Sequence, residues 1–91
     1  MAYTSTFTVD ASGSPESYTV KTTCRRITVY ENAQAGTVDY DVYMPANSAT
    51  PVRKPAGSKF TQESSGYFMP GDTPFALATA LGSVTFAAEE E

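Results

Sequence analysis

Apolar and polar residues alternate with a period of two along most of this chain. The apolar positions are rich in β-branched and aromatic side chains, which predicts half-buried β-strands. Residues 38–44 show it most cleanly: Val38, Tyr40, Val42 and Met44 share one face, and Asp39, Asp41 and Tyr43 the other. In residues 3–9, Tyr3, Ser5, Phe7 and Val9 alternate with threonines. Tyr18 and Val20 share a face of residues 17–22, while Ile27 and Val29 point inward from residues 25–32 and Arg26, Thr28 and Tyr30 outward. Further strands are expected over residues 58–63, with Phe60 inward, and over a short apolar piece at 67–69. The segment PFALATAL, residues 74–81, holds alanines that favour a helix. Phe75, Leu77, Thr79 and Leu81 also fall on one strand face, so a hairpin turning at Gly82 into residues 83–86 is the expectation.

Turn residues punctuate these runs. Residues 11–16 (ASGSPE) read as a loop, and residues 33–37 (AQAGT) as a turn centred on Gly36 that joins the flanking strands into an antiparallel hairpin. Residues 45–56 hold Pro45, Pro51 and Pro55, which cannot donate to a sheet ladder, so they form a surface loop or ragged edge. Ser64-Ser65-Gly66 and Pro70-Gly71-Asp72 are further turns. The result is an all-β fold of about seven short strands, a small antiparallel β-sandwich or jelly-roll-like barrel. Its expected core is Val20, Ile27, Val29, Val38, Tyr40, Val42, Phe60, Phe68, Leu77, Val84 and Phe86. Residues 1–10 are expected as an N-terminal arm, flexible or strand-adding, residues 11–88 as a single β domain, and residues 89–91 as an acidic tail.

The length of 91 residues suits one domain. The net charge is −4, and without Glu89, Glu90 and Glu91 the balance is 6 basic against 7 acidic residues. A nearly neutral body argues against nucleic acid, which needs a basic stripe to displace counterions, and against an anionic membrane surface. One cysteine, Cys24, excludes an intramolecular disulfide. It reads as a half-buried strand residue, although Arg25 and Arg26 beside it suit a lowered thiol pKa. Residues 1–9 lack the apolar stretch of a signal peptide, and no apolar run approaches the roughly 20 residues of a membrane span. The protein is therefore expected to be made and kept in the cytosol until it joins something.

Catalytic chemistry is sparse. With no histidine and one cysteine, neither a Ser-His-Asp or Cys-His arrangement nor a zinc site can be built. Asp39 and Asp41 lie about 7 Å apart on one strand face. That spacing fits a weak calcium site or an acid/base pair, but a solvated outer face fits the composition better. Arg25-Arg26 and Arg53-Lys54 are weak as phosphate sites, and an ion pair across a protein interface, for instance to a neighbour's residues 89–91, is the remaining use. No enzyme, cofactor, metal or small-molecule substrate is expected. Six tyrosines and no tryptophan say more. Outward tyrosines such as Tyr30 and Tyr43 suit protein interfaces and sugar sites. The candidate interface residues are Tyr3, Phe7, Tyr30, Tyr43, Arg53, Lys54, Tyr67 and Met69.

Four stretches also carry a resemblance: ITVYEN at 27–32, the run AQAGTVDYDVYMPANSATPVRKPAGSKFTQE, YFMPGD, and the closing LGSVTFAAEEE. In phrasing and order they resemble the small head decoration or cement proteins encoded near the capsid genes of tailed bacteriophages, over roughly residues 25–88. The resemblance implies a virion structural protein on the capsid surface, made in the host cytoplasm. It would bind the major capsid protein across capsomers as a homotrimer at three-fold positions. The alternatives are a head-fibre or tail-associated module binding host-surface glycan, and a cytosolic binder of host proteins.

Overall fold

The computed structural model describes residues 2–10, 14–32, 38–80 and 83–91. The expected turns at Gly36 and Gly82, Leu81, and part of the 11–16 loop lie outside them. Eight strands run in order: β1 (Tyr3–Val9), β2 (Glu16–Ser17), β3 (Cys24–Glu31), β4 (Tyr40–Tyr43), β5 (Val52–Lys54), β6 (Lys59–Phe68), β7 (Ala76–Thr79) and β8 (Val84–Glu90). No helix occurs among the described residues. The strands form two four-stranded sheets, ordered β1-β8-β3-β6 and β2-β7-β4-β5, and every neighbouring pair is antiparallel.

The pairs β1·β8, β2·β7, β3·β6 and β4·β5 are those of one long antiparallel hairpin, tipped at β4–β5 and rolled up. The links β8·β3 and β7·β4 close the two sheets. This is jelly-roll topology. It corrects two expected hairpins, because β3 and β4 lie in different sheets, as do β7 and β8. A period of two reports which face of a strand is buried; it is silent about whether the next short connection turns within a sheet or crosses to the other one.

Two further segments differ from expectation. Residues 3–9 are an edge strand of the chain's own first sheet, in register with β8 from Tyr3↔Glu90 to Val9↔Val84. The residues expected as a tail continue β8: Glu89 and Glu90 are in the strand, and the Glu91 carbonyl accepts from the amides of Arg25 (2.7 Å) and Arg26 (3.1 Å). Nor is 64–66 a turn. The β3–β6 register steps from Cys24↔Phe68 to Arg26↔Glu63, so these residues are extra length bulged within β6.

Glycine serves differently at Gly66 and at Gly71. A Cβ on Gly66 meets nothing within 4 Å, and its backbone is not left-handed, whereas Gly71 has φ +96°. Gly66→Ala is expected to be neutral or stabilising by up to about 1 kcal/mol. Gly71→Ala is expected to cost about 1–2 kcal/mol through left-handed strain. Urea unfolding of the two variants checks both.

Both sheets contribute to one core: Val9, Tyr18, Val20, Cys24, Ile27, Val29, Tyr40, Val42, Phe60, Phe68, Phe75, Leu77, Phe86 and Ala88. Rings bridge the layers, with Tyr40 5.1 Å from Phe86 and Phe60 5.2 Å from Phe75. Val38, expected in this core, precedes β4 and is only half-buried. Val84 packs on the core from its rim.

Candidate functional site

Because strands alternate in direction, one end of the sandwich gathers the start of β1, the end of β8, and the connections at 18–23, 44–51 and 69–75. The exposed large hydrophobics among the described residues are Tyr3 (46%), Met44 (42%), Val52 (60%), Tyr67 (56%) and Met69 (51%). All five are at this end. The opposite end is held by polar bonds: Glu31 accepts from the amides of Val38 (2.7 Å) and Gly57 (3.0 Å), Asp39 from the amide of Ala56 (2.8 Å), and the Tyr40 hydroxyl donates to the Ser58 carbonyl (2.7 Å).

Two of the exposed groups at the apolar end, Tyr67 and Met69, are held in place. Arg25 donates from Nη2 to the Tyr67 hydroxyl at 2.9 Å, with its guanidinium 4.8 Å from the ring centroid. This stacking keeps the ring upright on the bulged strand while leaving it half in solvent. Met69 sits in a turn closed by its amide on Asp72 Oδ2 (2.8 Å) and by the Asp72 amide on its carbonyl (3.0 Å). Residues 70–72 are tied to the 18–22 segment by Gly71 N to Val20 O and Val20 N to Asp72 O, each 2.9 Å. At the same end, Ser17, Pro45, Ala46, Asn47 and Thr73 line a cleft of about 410 Å³.

Beneath this end lies a buried carboxylate. Glu90, 1% exposed, points inward from β8. It accepts from the Tyr18 hydroxyl, from the amides of Lys21 (3.0 Å) and Thr22 (2.8 Å), and from Thr22 Oγ1 (3.0 Å). Burial alone would raise its pKa, but these donors outweigh it and hold the carboxyl below the ordinary glutamate range. Burial, reinforced by Glu90, pushes the Tyr18 hydroxyl up. Glu90 thus locks the 18–22 segment under the exposed turn. Burial also pushes the Cys24 thiol up, with Glu90 adding to it. Arg25 and Arg26 are exposed while the sulfur is in the core, so Cys24 is a strand residue as expected, fully rather than half buried.

No cluster of three or more His, Cys, Asp or Glu able to hold a metal occurs among the described residues. Asp39 and Asp41 border a cleft of about 320 Å³ floored by Ala78. Asp41 is paired with Arg53 at 2.5 Å, and Asp39 accepts from the Ala56 amide. The chain matches no protein-family model, no curated protein and no solved structure.

Of the expected interface residues, the structure brings Tyr3, Tyr67 and Met69 to the apolar end, with Tyr43 half-buried on the outer face beside it. Arg53 and Lys54 lie on edge strand β5, Arg53 exposed and ion-paired, Lys54 half-buried. Tyr30 lies on the outer face of the first sheet, its hydroxyl donating to Glu89 (2.8 Å) with Lys59 4.7 Å from its ring. Phe7 is partly buried. It packs on Phe86 (5.6 Å) and Tyr18 (5.1 Å) against the core. The ion pair imagined between Arg26 and a neighbour's acids is made within the chain, to Glu91 at 3.1 Å. Arg25, Met44 and Val52 were missed at the apolar end. Met44 continues the inward parity of β4 past the strand's last residue, and Val52 is an apolar residue between prolines, a signal that was available.

Proposed function

We propose that the protein is a virion structural component that decorates and stabilises a phage capsid, seated on the shell by its apolar end. The observation that carries a binding role is the collection of every exposed large hydrophobic among the described residues at that end, stiffened by Arg25 and the Met69–Asp72 turn. Tyrosine, arginine and methionine are the residues enriched in protein interfaces. The choice of a phage shell as the larger body rests on the resemblance over residues 25–88. Jelly rolls recur in viral capsid and lectin domains, a fact that is compatible with this reading and does not select it.

A cement subunit binds the expanded lattice across capsomers, so its binding energy stabilises the assembled state by mass action. Many copies make each weak site count. On this reading homotrimers occupy the three-fold positions and contact the major capsid protein. The test is co-sedimentation of purified protein with expanded heads that lack it, counting copies per shell. Saturation at the number of three-folds, with added heat resistance of the heads, is the expected result. Tyr67→Ala should weaken binding about 30-fold or more, as removal of an interface anchor does. Absence of binding to heads sinks the proposal.

A second reading is favoured by one local observation. The polar cleft lined by Ser17, Asn47 and Thr73 opens beside the outward Tyr43, whose ladder partner Ala76 also pairs with Ser17. An aromatic ring beside polar groups suits a sugar. On this reading the protein is a head-fibre or tail-associated module, and a glycan screen repeated with Tyr43→Ala distinguishes it from the first.

A further inference from the structure

The sandwich has four edge strands, and three are protected against pairing with another chain. β2 is two residues long. β5 is three residues long and bounded by Pro51 and Pro55. β6 is long, but it is bulged and carries Lys59 and Glu63. Short length, proline, bulges and charge are the usual means of blunting an edge. β1 has none of them. Its seven residues YTSTFTV hold no proline and no carboxylate, lysine or arginine, and they keep an unbroken register with β8. No strand pairs with its far side, and no loop backbone bonds to it, among the described residues. Thr4, Thr6 and Thr8 are exposed along it.

The surroundings say what fits this edge. At its Val9 end stand the exposed Asp10 and the half-buried Glu16, the latter accepting from the Asp10 amide at 3.3 Å, and neither is in an ion pair among the described residues. On the neighbouring strand the charges are the half-buried Glu89 and the buried Glu90, the latter facing the core, and neither is basic. A second copy would bring a similarly acidic margin to this one. It would also meet it along a strip only about 24 Å long and one strand spacing wide, far short of the roughly 1,200 Å² of a stable interface between rigid bodies. A segment that arrives extended gains the backbone ladder without needing more surface.

We propose that the open edge of β1 is a strand-addition site for an extended segment of another protein, uncharged along its length and bearing a lysine or arginine where it meets Asp10 and Glu16. This contact runs along the length of β1, shares only Tyr3 with the apolar end, and stands whether or not the larger body is a phage shell.

The test uses the isotopically labelled full chain and two capped peptides of alternating threonine and valine, one ending in lysines and the other in glutamates. The lysine peptide should shift the amide signals of Thr4 to Thr8 saturably and bind about threefold more tightly than the glutamate peptide, the scale of one exposed ion pair. Asp10→Lys, at an exposed position, should abolish or reverse that preference with the fold intact. Saturable shifts on β5 or β6 instead, or none at millimolar peptide, overturn the proposal. So would shifts of the same amides with protein concentration alone, because a second copy would then occupy the edge.

Discussion

Replacing Glu90 with alanine is expected to lower stability by about 3–4 kcal/mol, since it strands the Tyr18 hydroxyl and the amides of Lys21 and Thr22 beneath the apolar end. A chain of this length has about 5–13 kcal/mol in total. The melting temperature should therefore fall by about 15–25 °C, with the 18–22 segment losing its hydrogen-exchange protection first. Glu90→Gln keeps the shape and one acceptor oxygen and should lose about half as much. The pH dependence follows from the lowered carboxyl. A group whose pKa is lower in the folded state contributes stability that is complete above its unfolded value. That stability is lost as pH falls below the ordinary 4.5 and through the folded value. Wild type should thus lose stability through that acid window more steeply than Glu90→Gln, which carries no proton to bind there. Parallel curves for the two proteins in urea titrations at successive pH values would show that Glu90 is not the group responsible.

Phe86→Ala carries the second large effect. Phe86 is fully buried on β8, which pairs with β1 on one side and β3 on the other, and its ring meets Tyr40 of the opposite sheet and Phe7 of the neighbouring strand. Truncation removes the ring from the middle of both layers and should cost about 3–5 kcal/mol. Thr85→Ala, one residue earlier and on the outer face, gives up a side-chain bond to Thr8 at 3.2 Å and should cost under about 1 kcal/mol. Equal losses in the two variants, measured by chemical denaturation, would mean that the layers do not meet at Phe86.

The sequence made the faces of the strands legible because burial and the pleat share a period of two. Val29, Tyr40, Val42 and Leu77 are inward as expected. Partners were not legible, because alternation in β3 and β4 is the same whether they pair or stand in opposite layers. The acids at 89–91 were misread for a different reason. Three charges in a row suggest solvent, yet Val84, Phe86, Ala88 and Glu90 continue one inward parity, and only the donors arriving from residues 18–22 make a carboxylate acceptable there. Likewise, Phe7 shares its inward parity with Val9, which favours the core it packs against. The apolar end was half visible: Tyr67 and Met69 stood out as aromatic and thioether groups beside a turn, while their gathering with Tyr3, Met44 and Val52 depends on strand directions that no local pattern carries.

The rolled-hairpin topology also sets how the chain must find its fold. Val42 and Val52 are near in sequence and can pair early, whereas Tyr3 must wait for Glu90 from the far end of the chain. Each successive pair, from β4·β5 outward to β1·β8, closes a longer loop, so the entropic barrier accumulates and folding belongs to the slow, millisecond-to-second regime of non-local β proteins. β8 carries both the central ring and the buried carboxylate, so core and latch alike depend on partners distant in the chain: Phe86 on Tyr40 and Phe7, and Glu90 on residues 18–22.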